Sequence, residues 1–249
     1  MTPNTQEAWE APSEPDIAGA KTLAKLALAD DSLWKYYDLG RDYAGVSFAT
    51  LAPVVPYDIT TSDLHAVSLL GVTIGPRATR RLLEPGDHRT AVLAALCDLG
   101  PDQPLERADS ELLQKCWALH EAVLSAVKDD SAADSRPWVS TAKLTARKRP
   151  SLIPVRDNVV GKALGKRAWE SGKVYWQIMQ RLLQDTTVRD LLGNARERVL
   201  NASGDARGAI EVDQSDLRLL DAAIWKHLSD RARNAREEAK LTALEGSQE

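Results

Sequence analysis

Residues 141–165 read TAKLTARKRPSLIPVRDNVVGKALG, and the reading of this stretch decides the architecture. From Trp138 to Arg147 the chain holds good helix formers, with Val139, Ala142 and Leu144 suited to an inward face. Lys143, Arg147 and Lys148 are then expected to point mostly outward. Pro150 ends the helix, because a proline pushes the residue before it away from helical angles. Leu152, Ile153, Pro154 and Val155 make a link too short and too apolar for solvent, so it should cross the core. Asp157 stands at an N-cap position, where its carboxylate can accept from backbone amides two and three residues on.

Working outward, the flanking segments also read as helices. Thr61 or Ser62 caps one that carries Leu64, Val67, Leu69 and Leu70, and Pro76 opens the next, which Pro85-Gly86 stops. Asp87 caps a helix with Val92, Leu93 and Leu96. Asp109 caps a longer one, whose stripe Leu112, Leu113, Cys116, Trp117, Leu119, His120, Val123 and Leu124 keeps helical period. Downstream, Val174 to Leu183, Val188 to Leu200 and the segment after Ser215 continue the pattern. The best strand candidate, residues 46–55, is interrupted by Pro53. The expected fold is all-α: one multi-helix domain over residues 16–230. A disordered lead-in at 1–15 precedes it, and a charged helical end or tail at 231–249 follows. Residues 129–137 and 203–214 read as loops.

At 249 residues the chain can bury a substantial core. Seven Trp against one Phe mean that Trp dominates the aromatic packing. Trp34, Tyr36, Tyr37, Tyr43 and Phe48 lie close to Asp38, Arg41 and Asp42; such a set could line a pocket, but more often plugs one end of a helical core. No apolar run reaches the length of a membrane span and no signal pattern opens the chain, so a cytoplasmic protein is expected. Cys97 and Cys116 read as buried free thiols, and the four histidines lack ligand spacing. His120, on an apolar stripe, reads as a satisfied core histidine. Metal and cofactor chemistry are not expected.

The net charge is −4, yet residues 136–173 hold ten basic side chains against two acidic ones, Asp157 and Glu170. Such asymmetry suggests a polyanion partner, DNA first, while the acidic remainder leaves room for a basic protein partner. The candidate nucleic-acid face is Lys143, Arg147, Lys148, Arg149, Arg156, Lys162, Lys166 and Arg167. Asp221, in the apolar context LRLLDAAIW, needs an internal cationic partner, for which Arg218 and the 147–149 cluster are candidates.

The helix, the apolar crossing and Pro154-Val155-Arg156-Asp157-Asn158-Val159-Val160 resemble the centre of the helix-hairpin-helix DNA glycosylase superfamily. That resemblance implies that Asp157 is the catalytic carboxylate and that Lys143 lies near the nucleophilic amine of the bifunctional members. The glycine hairpin of that superfamily is absent where the chain reads Ser135-Arg136-Pro137-Trp138-Val139-Ser140, so Arg147, Lys148 and Arg149 would have to grip phosphates as point charges. A second resemblance, carried by KLTARKRPSLIPVRDNVVGKALG, DLHAVSLLGV and LRLLDAAIW, is to an uncharacterised actinobacterial family over roughly residues 35–228. It implies a helical fold and supplies no activity. The function expected is DNA binding through the basic face, the alternatives being base excision with Asp157 or a structural, partner-binding domain.

Overall fold

The helix predicted around Lys143 forms and is buried over most of its length. A computed structural model of the chain describes residues 9–41, 43–128, 137–202 and 212–245. Twelve α-helices and no strand occur among the described residues. They are α1 (Glu14–Leu28), α2 (Trp34–Tyr37), α3 (Thr61–Leu69), α4 (Pro76–Leu83), α5 (Asp87–Leu99), α6 (Ser110–Val127), α7 (Pro137–Lys148), α8 (Asn158–Ala163), α9 (Lys166–Glu170), α10 (Gly172–Gln184), α11 (Thr186–Asn201) and α12 (Asp216–Glu245). The all-α expectation is met. The two expected loops fall largely on residues 129–136 and 203–211, outside the described residues.

Two groups of helices share the core. α7 packs on α3 and α6, with α4 and α5 behind them, while α10 and α12 pack with α1, α8 and α11. The crossing joins the groups as its composition demands: Leu152 and Ile153 are fully buried, and Pro154 and Val155 are buried too. Its backbone is held at several points. The Leu152 and Ile153 amides donate to the Arg149 carbonyl, Ser215 Oγ donates to the Pro150 carbonyl at 3.0 Å, and Tyr175 Oη donates to the Val155 carbonyl at 3.0 Å.

Caps sit close to the expected places. Thr60 and Asp63 form a capping box on α3, Asp109 caps α6, Asp157 caps α8, and Asp185 caps α11 where Thr186 or Thr187 was expected. The N-terminal expectation needs correction over residues 9–15. Ser13 caps α1, with Asp16 completing the capping box, and Trp9 packs edge-on to Trp117 with ring centroids 6.2 Å apart. Trp9 is half-buried there, and Gln177 and Arg167 donate to the Glu10 and Ala11 carbonyls. At the other end α12 runs on to Glu245, its residues 231–240 exposed, so the charged helical end is a projecting helix. Cys116 is buried as expected, but Cys97 is exposed.

The larger correction concerns Lys143, Arg147, Lys148 and Arg149. All four are buried, Arg147 at 1% and Arg149 at 0% relative exposure. α7 is enclosed on nearly every side, and its cations feed the irregular segment that follows the aromatic stretch. Arg147 donates to the Phe48 carbonyl at 2.8 Å and to the Leu51 carbonyl, Lys148 Nζ to the Val55 carbonyl at 2.6 Å, and Arg149 Nη1 to the Pro56 carbonyl at 2.7 Å. That segment forms no ladder, so its buried carbonyls need donors from elsewhere. Asp63, itself fully buried, pairs with Arg147 Nε at 3.3 Å and with Lys148 Nζ at 2.9 Å. Burial lowers the pKa of Lys148 and Arg147, and Asp63 opposes that shift in both.

Removing one member of a buried charge cluster strands the others. Asp63→Ala is therefore expected to cost about 3–5 kcal/mol in urea denaturation. Glu170→Ala, which breaks only the exposed 3.8 Å pair with Lys166, should cost no more than about 1 kcal/mol.

Candidate active site

Where the two helix groups meet, a pocket opens between six segments. Tyr36 (α2) and Tyr43, together with Trp225 (α12), form an aromatic wall. Tyr43 stacks on Trp225 at 5.6 Å between centroids, and Tyr36 packs against both rings. Opposite stand Lys143 from α7, Asp157 at the start of α8, and Arg218 and Asp221 from α12, with Leu70, Val155, Val160 and Ala222 filling between them. The cavity itself is small, ≈ 60 Å³, within ≈ 450 Å³ of empty space that runs out into open solvent at the mouth.

Each polar side chain has a structural reason to be there. Lys143 sits mid-helix, and its Nζ donates to the Leu70 carbonyl at 2.7 Å. That carbonyl ends α3, where Gly71, at φ 75°, takes the left-handed conformation that closes helices. Burial holds the amine below the usual lysine pKa, with Asp157 opposing. Desolvation enlarges the neutral, nucleophilic fraction of a lysine, and the Asp157 charge only partly reverses that here. Asp157 is half-buried. Its Oδ1 accepts the Val159 amide at 2.6 Å, and its second oxygen has no hydrogen-bond partner among the described residues. The N-cap reading is thus met, and the same residue lines the pocket.

Asp221 is buried beside Arg218. Its Oδ2 accepts the Val155 amide at 2.9 Å and Arg218 Nη1 at 3.3 Å, which makes Arg218 the internal partner and excludes the 147–149 cluster. Its Oδ1 is buried without a partner, and so is Arg218 Nε. Burial pushes the Asp221 carboxyl up to about 7, against the pull of Arg218 and the Val155 amide. Burial works against the Arg218 cation as well, but Asp213, Tyr36 and Asp221 more than compensate.

Lys143 and Asp157, named from the sequence, therefore share one pocket. The remaining candidate bases do not form a face with them. Arg147, Lys148 and Arg149 are consumed inside. Arg156 lies over the Trp138 ring at 4.6 Å and donates to the Trp169 carbonyl. Lys162 sits over Trp169 at 5.1 Å, Lys166 pairs with Glu170, and Arg167 pairs with Glu10 at 2.6 Å and Asp16 at 3.4 Å. Clustering in sequence becomes dispersal in space, because these residues are spread over α7, α8, α9 and the crossing, and two of their partners come from the N-terminal segment. A second chamber shares the wall of Tyr36, Tyr43 and Trp225 and is lined by Lys35, Arg41, Lys226 and Arg233, with Asp230 its single acidic lining residue. His120 stacks on Trp117 at 4.8 Å, away from the pocket, and is buried, but its Nδ1 has no partner, so it is a core histidine without being a satisfied one.

Sequence reasoning missed Trp225 and gave Arg218 and Asp221 only a pairing role. The signal existed: residues 218, 221, 222 and 225 follow the i, i+3, i+4, i+7 spacing of one helix face, and that face carries two charges and a Trp.

A family model described as a family of unknown function (DUF6308) matches residues 29–228. The chain belongs to this family. The matched span holds every pocket residue of the DUF6308 domain and omits α1 and the projecting end of α12. No curated protein and no solved structure matches the chain. Among the described residues no helix is long and apolar enough to cross a membrane, and no group of His, Cys, Asp or Glu could hold a metal ion.

The Asp221 carboxyl makes stability depend on pH. Its folded pKa lies above the unfolded value of 3.8, so the folded state holds an extra proton between the two. Its contribution is complete below about pH 4 and is lost as pH rises through 7. Asp221→Asn, which titrates nowhere, should melt progressively higher relative to wild type from pH 5 to pH 8. Parallel melting profiles would contradict this.

Proposed function

We propose that the DUF6308 domain acts through this pocket on the N-glycosidic bond of a nucleic-acid substrate, in the manner of the base-excising enzymes its focal segment resembles. Lys143 supplies the amine that attacks the sugar carbon. Asp157 stabilises the cationic sugar that develops as the base leaves and takes up the proton released by the amine. The aromatic wall offers a planar base a stacking surface. The observation that carries this reading is the convergence of Lys143 and Asp157, from two different helices, in one aromatic-walled pocket.

The cations bordering the second chamber favour a phosphate-bearing substrate. They replace the 143–167 face as the candidate nucleic-acid contact. Lys226 and Arg233 share a single carboxylate, Asp230, so positive charge is left over beside the aromatic wall. Phosphate contacts of this kind make affinity fall with salt.

The direct test is reductive trapping. A duplex with a single abasic site, incubated with the protein and sodium borohydride, should give a covalent adduct through an imine on Lys143. Lys143→Met should abolish the adduct and Asp157→Asn should slow its formation. No adduct from the wild type, or one undiminished by Lys143→Met, would sink the reading. In a separate binding titration, Lys35→Glu combined with Arg233→Glu should lower the slope of log affinity against log salt by about 2 for duplex DNA.

A further inference from the structure

The proposed reaction has two demands, an attack on the sugar and the departure of the base. Lys143 and Asp157 meet only the first. A base leaves with the electron pair of the broken bond, and a proton delivered to it at that moment makes it a far better leaving group.

Asp221 is placed to deliver that proton. Both interactions that anchor its carboxyl, from the Val155 amide and from Arg218 Nη1, fall on Oδ2. Oδ1 has no partner although it is buried and belongs to a pocket-lining side chain. With Oδ2 occupied by two donors, a proton on this carboxyl resides on Oδ1. A buried oxygen without a protein partner is completed by a water or by a ligand, and this one belongs to a side chain that lines the pocket. The surroundings favour the transfer. Arg218 lies against Oδ2 and stabilises the carboxylate left behind, while the phenols of Tyr36 and Tyr175 stay protonated, burial holding both above the usual range. Asp213 behind Arg218, Lys143 across the pocket and Asp157 at its mouth complete the charged groups around it.

We propose that Asp221 is the general acid of this site and that its substrate carries a base able to accept a proton or hydrogen bond at the pocket floor. This rests on the Lys143 reading. The Lys143 amine forms the bond to the sugar carbon, and the sugar–nitrogen bond breaks with its pair passing to the base. The Asp221 proton follows that pair. The Asp221 carboxylate remains beside Arg218, and the ammonium proton of the new link passes to Asp157. Atoms and charge balance without an added cofactor.

Two assays separate this role from Lys143 chemistry. Base release is measured from duplexes carrying single uracil, hypoxanthine or oxidised-guanine lesions, across pH 5.5 to 8.5. The expected result is a wild-type rate that falls as pH rises through neutrality, a loss of about 100-fold or more in Asp221→Asn with a flat profile, and partial recovery in Asp221→Glu. Borohydride trapping on an abasic duplex has no base to expel, so Asp221→Asn should trap as wild type does, which also shows that the variant is folded. Base release by Asp221→Asn at the wild-type rate overturns the proposal, as does equal loss of release and trapping. A wild type that traps the abasic site but releases none of the bases overturns it while leaving Lys143 in place. A wild type that does neither removes both.

Discussion

Buried cations on α7 make this fold possible. Phe48 to Pro56 is a run whose side chains beyond Leu51 are exposed while several of its carbonyls turn inward, where no helix or ladder satisfies them. Arg147, Lys148 and Arg149 supply the donors from a neighbouring helix, and Asp63 offsets part of the charge they bring inside. The arrangement costs desolvation of several charged groups, so it is not a source of surplus stability. What it gives is location. It ties the segment that follows the aromatic stretch to the same helix that carries Lys143, and so sets the distance between the pocket's wall and its amine.

Much of this order was legible in residues 141–165. Pro150 marked a helix end, Asp157 marked a helix start, and four apolar residues between them had nowhere to go but inside. The direction of Arg147, Lys148 and Arg149 was not legible. Three adjacent bases at the end of a helix ordinarily face water, and what draws these inward is a set of backbone carbonyls, which leave no trace in residue identity. The pocket was half legible for the same kind of reason. Lys143 and Asp157 lie fourteen positions apart on a recognisable pattern, whereas Tyr36 and Trp225 meet them only through the packing of α2 and α12 across the core.

The pocket's position follows from the crossing. Val155 contributes its amide to Asp221, its carbonyl to Tyr175 and its side chain to the pocket lining, so one residue links the floor of the site to α10 and α12. Two residues later Asp157 begins α8. The Asp221 and Asp157 carboxylates are thus both tied to one short stretch of backbone, the first through the Val155 amide and the second as the N-cap two residues on.

The nature of the acceptors on the Phe48 to Pro56 run has a further effect. Backbone carbonyls accept hydrogen bonds but return no full negative charge, so three cations are held there against the single carboxylate of Asp63. Every residue type brings the same main-chain acceptor, so the identity of the side chains along the run matters little to this staple, whereas the donors at 147, 148 and 149 have no such freedom.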